Sequence, residues 1–139
     1  MKTAVVIYHS KTGTTRKYGE EIANYLESIG IDVRLSSTQV FKGEILKDAD
    51  YVFLGCWTSG LMVMLQHPEK AWVDFAAKFP SMPTAKLVFF TTYKILTGSM
   101  FRNMYKQLKG KFTAPSLELK SRNGFFSPAD KEKLDSIVR

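Results

Sequence analysis

The sequence predicts an α/β fold in which a parallel sheet is covered by helices on both faces. Three observations carry this expectation. Five short apolar runs are interspersed with four helical patterns along the 139 residues, the signature of strand–helix–strand units. The first run, Thr3 to Tyr8, is β-branched and bounded, as in a strand buried on both sides. No internal repeat, low-complexity tract or Pro/Gly/Ser linker separates the runs, so residues 1–139 read as one domain.

Taken in order, Thr3 to Tyr8 is a bounded β-branched run and reads as the first strand. From Thr15 to Ile29 the apolar positions Tyr18, Ile22, Tyr25, Leu26 and Ile29 recur at helical spacing, and Gly30 is placed to end the helix. Ile31 to Leu35 is a weaker second strand, shared with Asp32 and Arg34, and Tyr51 to Gly55 is a third. Glu69 to Phe79 is helical after Pro68, with Trp72, Phe75 or Ala76, and Phe79 on one side. Leu87 to Thr92 is the fourth strand. Ser99 to Leu108 is helical, its Met100, Met104 and Leu108 stacked four apart. Leu117 to Leu119 is a faint fifth strand. Ser127-Pro128-Ala129-Asp130 then opens a helix that runs to Val138.

Composition removes several classes of function. A lone cysteine, Cys56, excludes an intramolecular disulfide and a multi-cysteine metal centre within this chain, and two histidines, His9 and His67, offer little more. No apolar stretch approaches the roughly 20 residues needed to cross a bilayer, and Ala4 to Ile7 is too short for a signal-peptide core. A cytoplasmic protein is expected. The formal net charge of +7 is the unusual quantity. By itself it does not choose among nucleic acid, a membrane surface and an acidic partner.

In parallel sheets of this kind, ligands bind beyond the carboxyl ends of the strands. Three such ends carry chemistry. After the first strand come His9, Ser10, Lys11, Thr12, Gly13, Thr14 and Thr15, leading directly into a helix. Four hydroxyls, a glycine and a helix N-terminus form a cradle for a phosphate, although a plain capped turn uses the same residues. The P-loop and dinucleotide fingerprints are both missing. After the third strand come Gly55, Cys56, Trp57, Thr58, Ser59 and Gly60; after the fourth come Thr92, Tyr93, Lys94 and, further on, Gly98. An aromatic at a strand end can stack on a flat ring while backbone groups answer the ring's polar edge.

Ser10-x-Thr12-Gly13-x-Thr15 after a β-branched strand resembles the phosphate-binding signature of flavodoxins, which bind FMN without a covalent link. Thr14 stands where that family often has Asn. The resemblance spans the whole chain and implies a short-chain flavodoxin-like fold: a five-stranded sheet in the order 2-1-3-4-5 between two helical layers. Gly55-x-Trp57 resembles a divergent subgroup of the family. The resemblance assigns Ser10, Lys11, Thr12, Gly13, Thr14 and Thr15 to the phosphate. It places Cys56, Trp57, Thr58, Ser59 and Gly60 against the flavin ring, with Thr92, Tyr93, Lys94 and Gly98 in a second contacting loop. Cys56 reads as a small buried residue; Met62, six positions on, stands where a phosphatase has Arg. Leu61, Met62 and Met64 form an apolar cluster, read as a lip over the cofactor. Lys94, where the family often has acidic residues, would favour the reduced flavin anion and raise the potential. His9 reads as a packed residue, and Phe125-Phe126 as core.

The resemblance implies an electron-transfer protein that shuttles electrons to or from a partner oxidoreductase. No nucleophile–base or acid–base pair stands out to indicate a self-contained hydrolase. A small FMN-dependent reductase acting on a quinone or tetrapyrrole is the alternative, and a flavin-free interaction domain is a third. A phosphate-accepting receiver is disfavoured, since its acidic positions hold Tyr8-His9 and Gly55-Cys56. Charge distribution refines the partner. Met1 to Thr92 holds 10 basic and 9 acidic residues, whereas Tyr93 to Arg139 holds 10 basic and 4 acidic. Lys94, Arg102, Lys106, Lys109, Lys111, Lys120 and Arg122 face a single acid there, Glu118. Nucleic acid is disfavoured, because no groove-reading motif accompanies these residues. Flavodoxins are typically acidic, so the reversed sign predicts an acidic partner protein or an anionic substrate at a basic face over residues 94–122.

Overall fold

The computed structural model describes residues 2–58, 70–94, 97 and 99–138. Its strands are β1 (Thr3–His9), β2 (Asp32–Ser37), β3 (Tyr51–Trp57), β4 (Lys86–Thr92) and β5 (Pro115–Ser121). Its helices are α1 (Thr14–Ser28), α2 (Lys70–Ala77), α3 (Met100–Lys106) and α4 (Pro128–Val138), with a 3-10 helix over Gly43–Leu46. The strands lie in the order β2-β1-β3-β4-β5, and every neighbouring pair is parallel. That is the architecture expected from the sequence.

Strand alternation divides the core into two layers. Val5, Ile7, Val52, Leu54, Leu87 and Phe89 point to one face, where they meet Trp72 and Ala76 of α2 and Met100 and Met104 of α3. Ala4, Val6, Phe53, Val88 and Phe90 point to the other, against Tyr18, Ile22 and Leu26 of α1 and Leu134 of α4. Each fully buried side chain of this size contributes roughly 1.5–3 kcal/mol of hydrophobic free energy.

Four local devices seat the helices. Asp130 accepts hydrogen bonds from Tyr18 Oη at 3.0 Å and from the Ser127 amide at 3.1 Å, while Ser127 Oγ accepts from the Asp130 amide. The last two form a capping box with Pro128 in the first helical position. Tyr25 Oη also donates to Asp135, so α1 and α4 are joined at two points. Lys111 donates to the carbonyls of Ala76 and Ala77 and caps the C-terminus of α2. The ring of Phe90 lies across Gly55, where a Cβ would come within 2.1 Å of it, and also touches Gly19 of α1. Gly55 therefore serves close packing of β3 against β4 and α1.

Several boundaries differ from the sequence expectation. β1 and β3 continue to His9 and Trp57 because their ends still pair with neighbouring strands. β5 is longer than Leu117–Leu119: it is an edge strand that buries Leu119 and Ser121 and exposes Ser116, Glu118 and Lys120. α3 stops at Lys106, so Lys109 lies beyond it rather than on its face, although it remains exposed. Phe126 is core, but Phe125 is 52% exposed, because the turn after β5 points it outward.

Candidate functional site

Register brings the three informative strand ends to one edge of the sheet. His9 of β1 is level with Cys56 of β3, and Trp57 is level with Thr92 of β4. The segments Ser10–Thr15, Cys56–Thr58 and Thr92–Lys94 therefore open side by side. Ser59, Gly60 and Gly98 lie outside the described residues, as does the apolar cluster Leu61, Met62 and Met64.

The first segment is held by its own hydroxyls. Ser10 Oγ accepts the Gly13 amide at 3.0 Å, and Thr12 and Thr14 hydroxyls lie 3.4 Å apart. Gly13 has φ +92°, a left-handed conformation that glycine adopts without a steric penalty. It precedes α1 as the cap residue and has no side chain to cap the helix. The first turn of α1 holds no acidic residue but carries Arg16 and Lys17. The unpaired N–H groups of a helix start, the helix dipole and local positive charge suit this end to an anion. On its β2 side lies a polar cleft of about 270 Å³, lined by residues that include Ser10, Gly13, Arg16 and Thr38. Its wall includes His9, which is buried and hydrogen-bonded through Nδ1 to Thr38 Oγ1 at 3.0 Å, in keeping with a packing role.

A chain of threonines ties this segment to the other two. Thr15 Oγ1 lies 2.6 Å from Thr92 Oγ1 in the interior. Thr91 Oγ1 donates to the Cys56 carbonyl at 2.5 Å and lies 2.9 Å from Thr58 Oγ1. The Thr58 amide donates to the Thr92 carbonyl at 2.7 Å. Buried hydroxyls in such a network fix the loops relative to one another, because each would be costly to leave unpaired. Thr15 and Thr92 are among the residues expected at the site from the sequence, whereas Thr91 is not; two hydroxyl residues ending an otherwise apolar strand were the available signal.

Cys56 is fully buried, as expected of a packing residue. Trp57 packs against the α2/α3 core layer, and among the described residues its buried Nε1 has no hydrogen-bond partner. The ammonium of Lys11 lies over its ring, 4.8 Å from the centroid. Tyr93 is half-buried, and Arg122 of the β5–α4 turn lies 5.7 Å over its ring. Nothing in the local sequence pointed to that pair. Lys94, Arg102, Lys106, Lys109, Lys120 and Arg122 are exposed, whereas Lys111 is withdrawn from the expected basic face by its bonds to α2.

These residues fit FMN. The loop before α1 offers hydroxyl and amide donors to a phosphate, and no carboxylate in α1's first turn opposes it. An aromatic with an orphaned donor stands at the end of the adjacent strand β3, suited to a flat ring with polar edges.

Comparison with known proteins supports the same reading. The sequence pattern of the flavodoxin family matches residues 6–123. No curated protein matches the chain. Among solved structures, flavodoxin 1 from Bacillus cereus in its oxidised form is similar with a TM-score of 0.71 and 19% identity, covering 95% of this chain and 91% of that one. Two-electron reduced flavodoxin from Megasphaera elsdenii has a TM-score of 0.71 and 19% identity, over 93% of each chain. A flavodoxin from the domain Archaea has a TM-score of 0.65 and 20% identity, covering 97% of this chain and 92% of that one. The described residues hold no helix long and apolar enough to cross a membrane. The chain belongs to the flavodoxin family, whose cofactor is FMN.

Proposed function

We propose that this chain binds FMN across its three strand-end loops and carries electrons, in the cytoplasm, to or from an acidic partner protein. The observation that carries the reading is the threonine network joining the anion-binding loop to the segments around Trp57 and Tyr93. It supports one preorganised site rather than three unrelated turns. FMN supplies the one- and two-electron chemistry when bound. Ser10, Lys11, Thr12, Gly13, Thr14 and Thr15 would hold the phosphate; Cys56, Trp57, Thr58, Ser59 and Gly60 would face the ring. Thr92, Tyr93, Lys94 and Gly98 would complete the second wall, with Lys94 raising the potential by favouring the reduced anion. The exposed cations Lys94, Arg102, Lys106, Lys109, Lys120 and Arg122 would then steer the partner.

Turnover separates a carrier from a self-contained reductase. Purified protein loaded with FMN and given NAD(P)H and a quinone should stay idle until a second protein is added; steady turnover without one would establish the reductase instead. Association with the partner should slow as salt is raised. Lys94→Ala should lower the FMN potential in a redox titration, and an unchanged or higher value would remove Lys94 from this role.

A further inference from the structure

Lys11 and Trp57 come from different loops, yet the ammonium lies 4.8 Å from the indole centroid. Trp57 also packs on the α2/α3 core layer, and on the FMN reading the ring surface beneath Lys11 is the one a flat ligand would use. Lys11 itself is exposed, and its loop is the one built for an anion. Two neighbouring cations are differently engaged: Arg16 is paired with Glu20 at 3.3 Å, and the Lys17 side chain packs beside Gly124.

We propose that Lys11 is a specificity-determining residue that makes the site prefer phosphorylated flavin. Its ammonium lies over the indole and must leave when a ring stacks there. FMN compensates that loss by bringing a phosphate to the loop that carries Lys11. Riboflavin must displace the ammonium and offers no anion in return. An exposed cation–π contact is worth about two- to fivefold in an equilibrium constant, and that factor is charged against riboflavin. The inference rests on the FMN reading above.

The test is parallel titration of wild type, Lys11→Met and Lys11→Arg with FMN and with riboflavin, at low and high salt. Riboflavin should bind Lys11→Met about two- to fivefold more tightly than wild type. FMN binding by that variant should lose part of its salt dependence, so the preference for FMN falls. Lys11→Arg, which keeps the charge, should retain the salt dependence of FMN binding that Lys11→Met loses. Without any flavin, tryptophan emission should change in Lys11→Met, and this change should vanish when Trp57 is already Phe. Riboflavin binding that is unchanged or weaker in Lys11→Met, or an unaltered flavin-free emission, would overturn the proposal while leaving FMN binding intact. Failure of the wild type to bind either flavin would overturn the FMN reading and this proposal with it.

Discussion

The two ends of the candidate site are built on opposite plans. Around Ser10–Thr15 the polar groups satisfy one another: Ser10 holds the Gly13 amide and Thr15 meets Thr92. Behind this loop, α1 is braced through Tyr18 and Tyr25 to acidic residues of α4. At the end of β3, Trp57 keeps a buried Nε1 without a partner among the described residues and has the ammonium of exposed Lys11 over its ring. The Ser10–Thr15 end satisfies its polar groups internally, whereas among the described residues the Trp57 end has a donor left over.

The largest expected effect comes from breaking the base of the ring end. Gly55→Ala puts a methyl group within 2.1 Å of Phe90, whose ring also contacts Gly19. Neither the strand nor the ring has room to yield, so the cost should be about 3 kcal/mol, measured by urea unfolding. A loss below about 0.5 kcal/mol would mean that the close approach is not real.

Next comes the link between the ends. Thr15→Val or Thr92→Val leaves a buried hydroxyl facing a methyl group and should cost about 1–3 kcal/mol. The double variant should cost less than the sum of the two, since no orphaned hydroxyl remains. Additive losses would contradict the pairing. Trp57→Leu acts on the ring end alone. It should weaken FMN binding about tenfold, the stacking share of an aromatic pair, and, because Trp57 also packs on the core layer, lower the unfolding free energy as well.

The smallest effect tests the brace. Burial, reinforced by the Asp130 carboxylate, raises the Tyr18 phenol above the ordinary tyrosine range. The fold therefore retains a proton that the unfolded chain releases, so this contribution is intact below about pH 10 and declines as pH rises further. Stability measured between about pH 8 and about pH 11 should fall more steeply for wild type than for Tyr18→Phe. Equal slopes would remove Tyr18 from the alkaline response. At neutral pH, Tyr18→Phe should cost about 1 kcal/mol for the lost hydrogen bond.

What was legible in the sequence follows from where each feature's signal lives. β1, β3 and β4 are buried on both faces, so their apolar runs announce them. β5 was faint because an edge strand shows the core only alternate residues, here Leu119 and Ser121. The 3-10 helix at Gly43–Leu46 is too short to impose a period and was missed. The phosphate loop was readable as a local pattern of hydroxyls and glycine. The bonds of Lys111 to α2, of Arg122 to Tyr93 and of Lys11 to Trp57 are products of tertiary packing between distant segments, and no local pattern encodes them. The first of these changed the account: counting charges along the chain placed Lys111 in the docking face, but its amine is spent on helix carbonyls.

The measurement closest to the central claim is titration of flavin-free protein with FMN, followed by quenching of flavin and tryptophan fluorescence. The account predicts a single saturable site, weakened in Trp57→Leu, and a yellow complex absorbing at about 450 nm. Protein that stays colourless and quenches neither signal as FMN is added would contradict it.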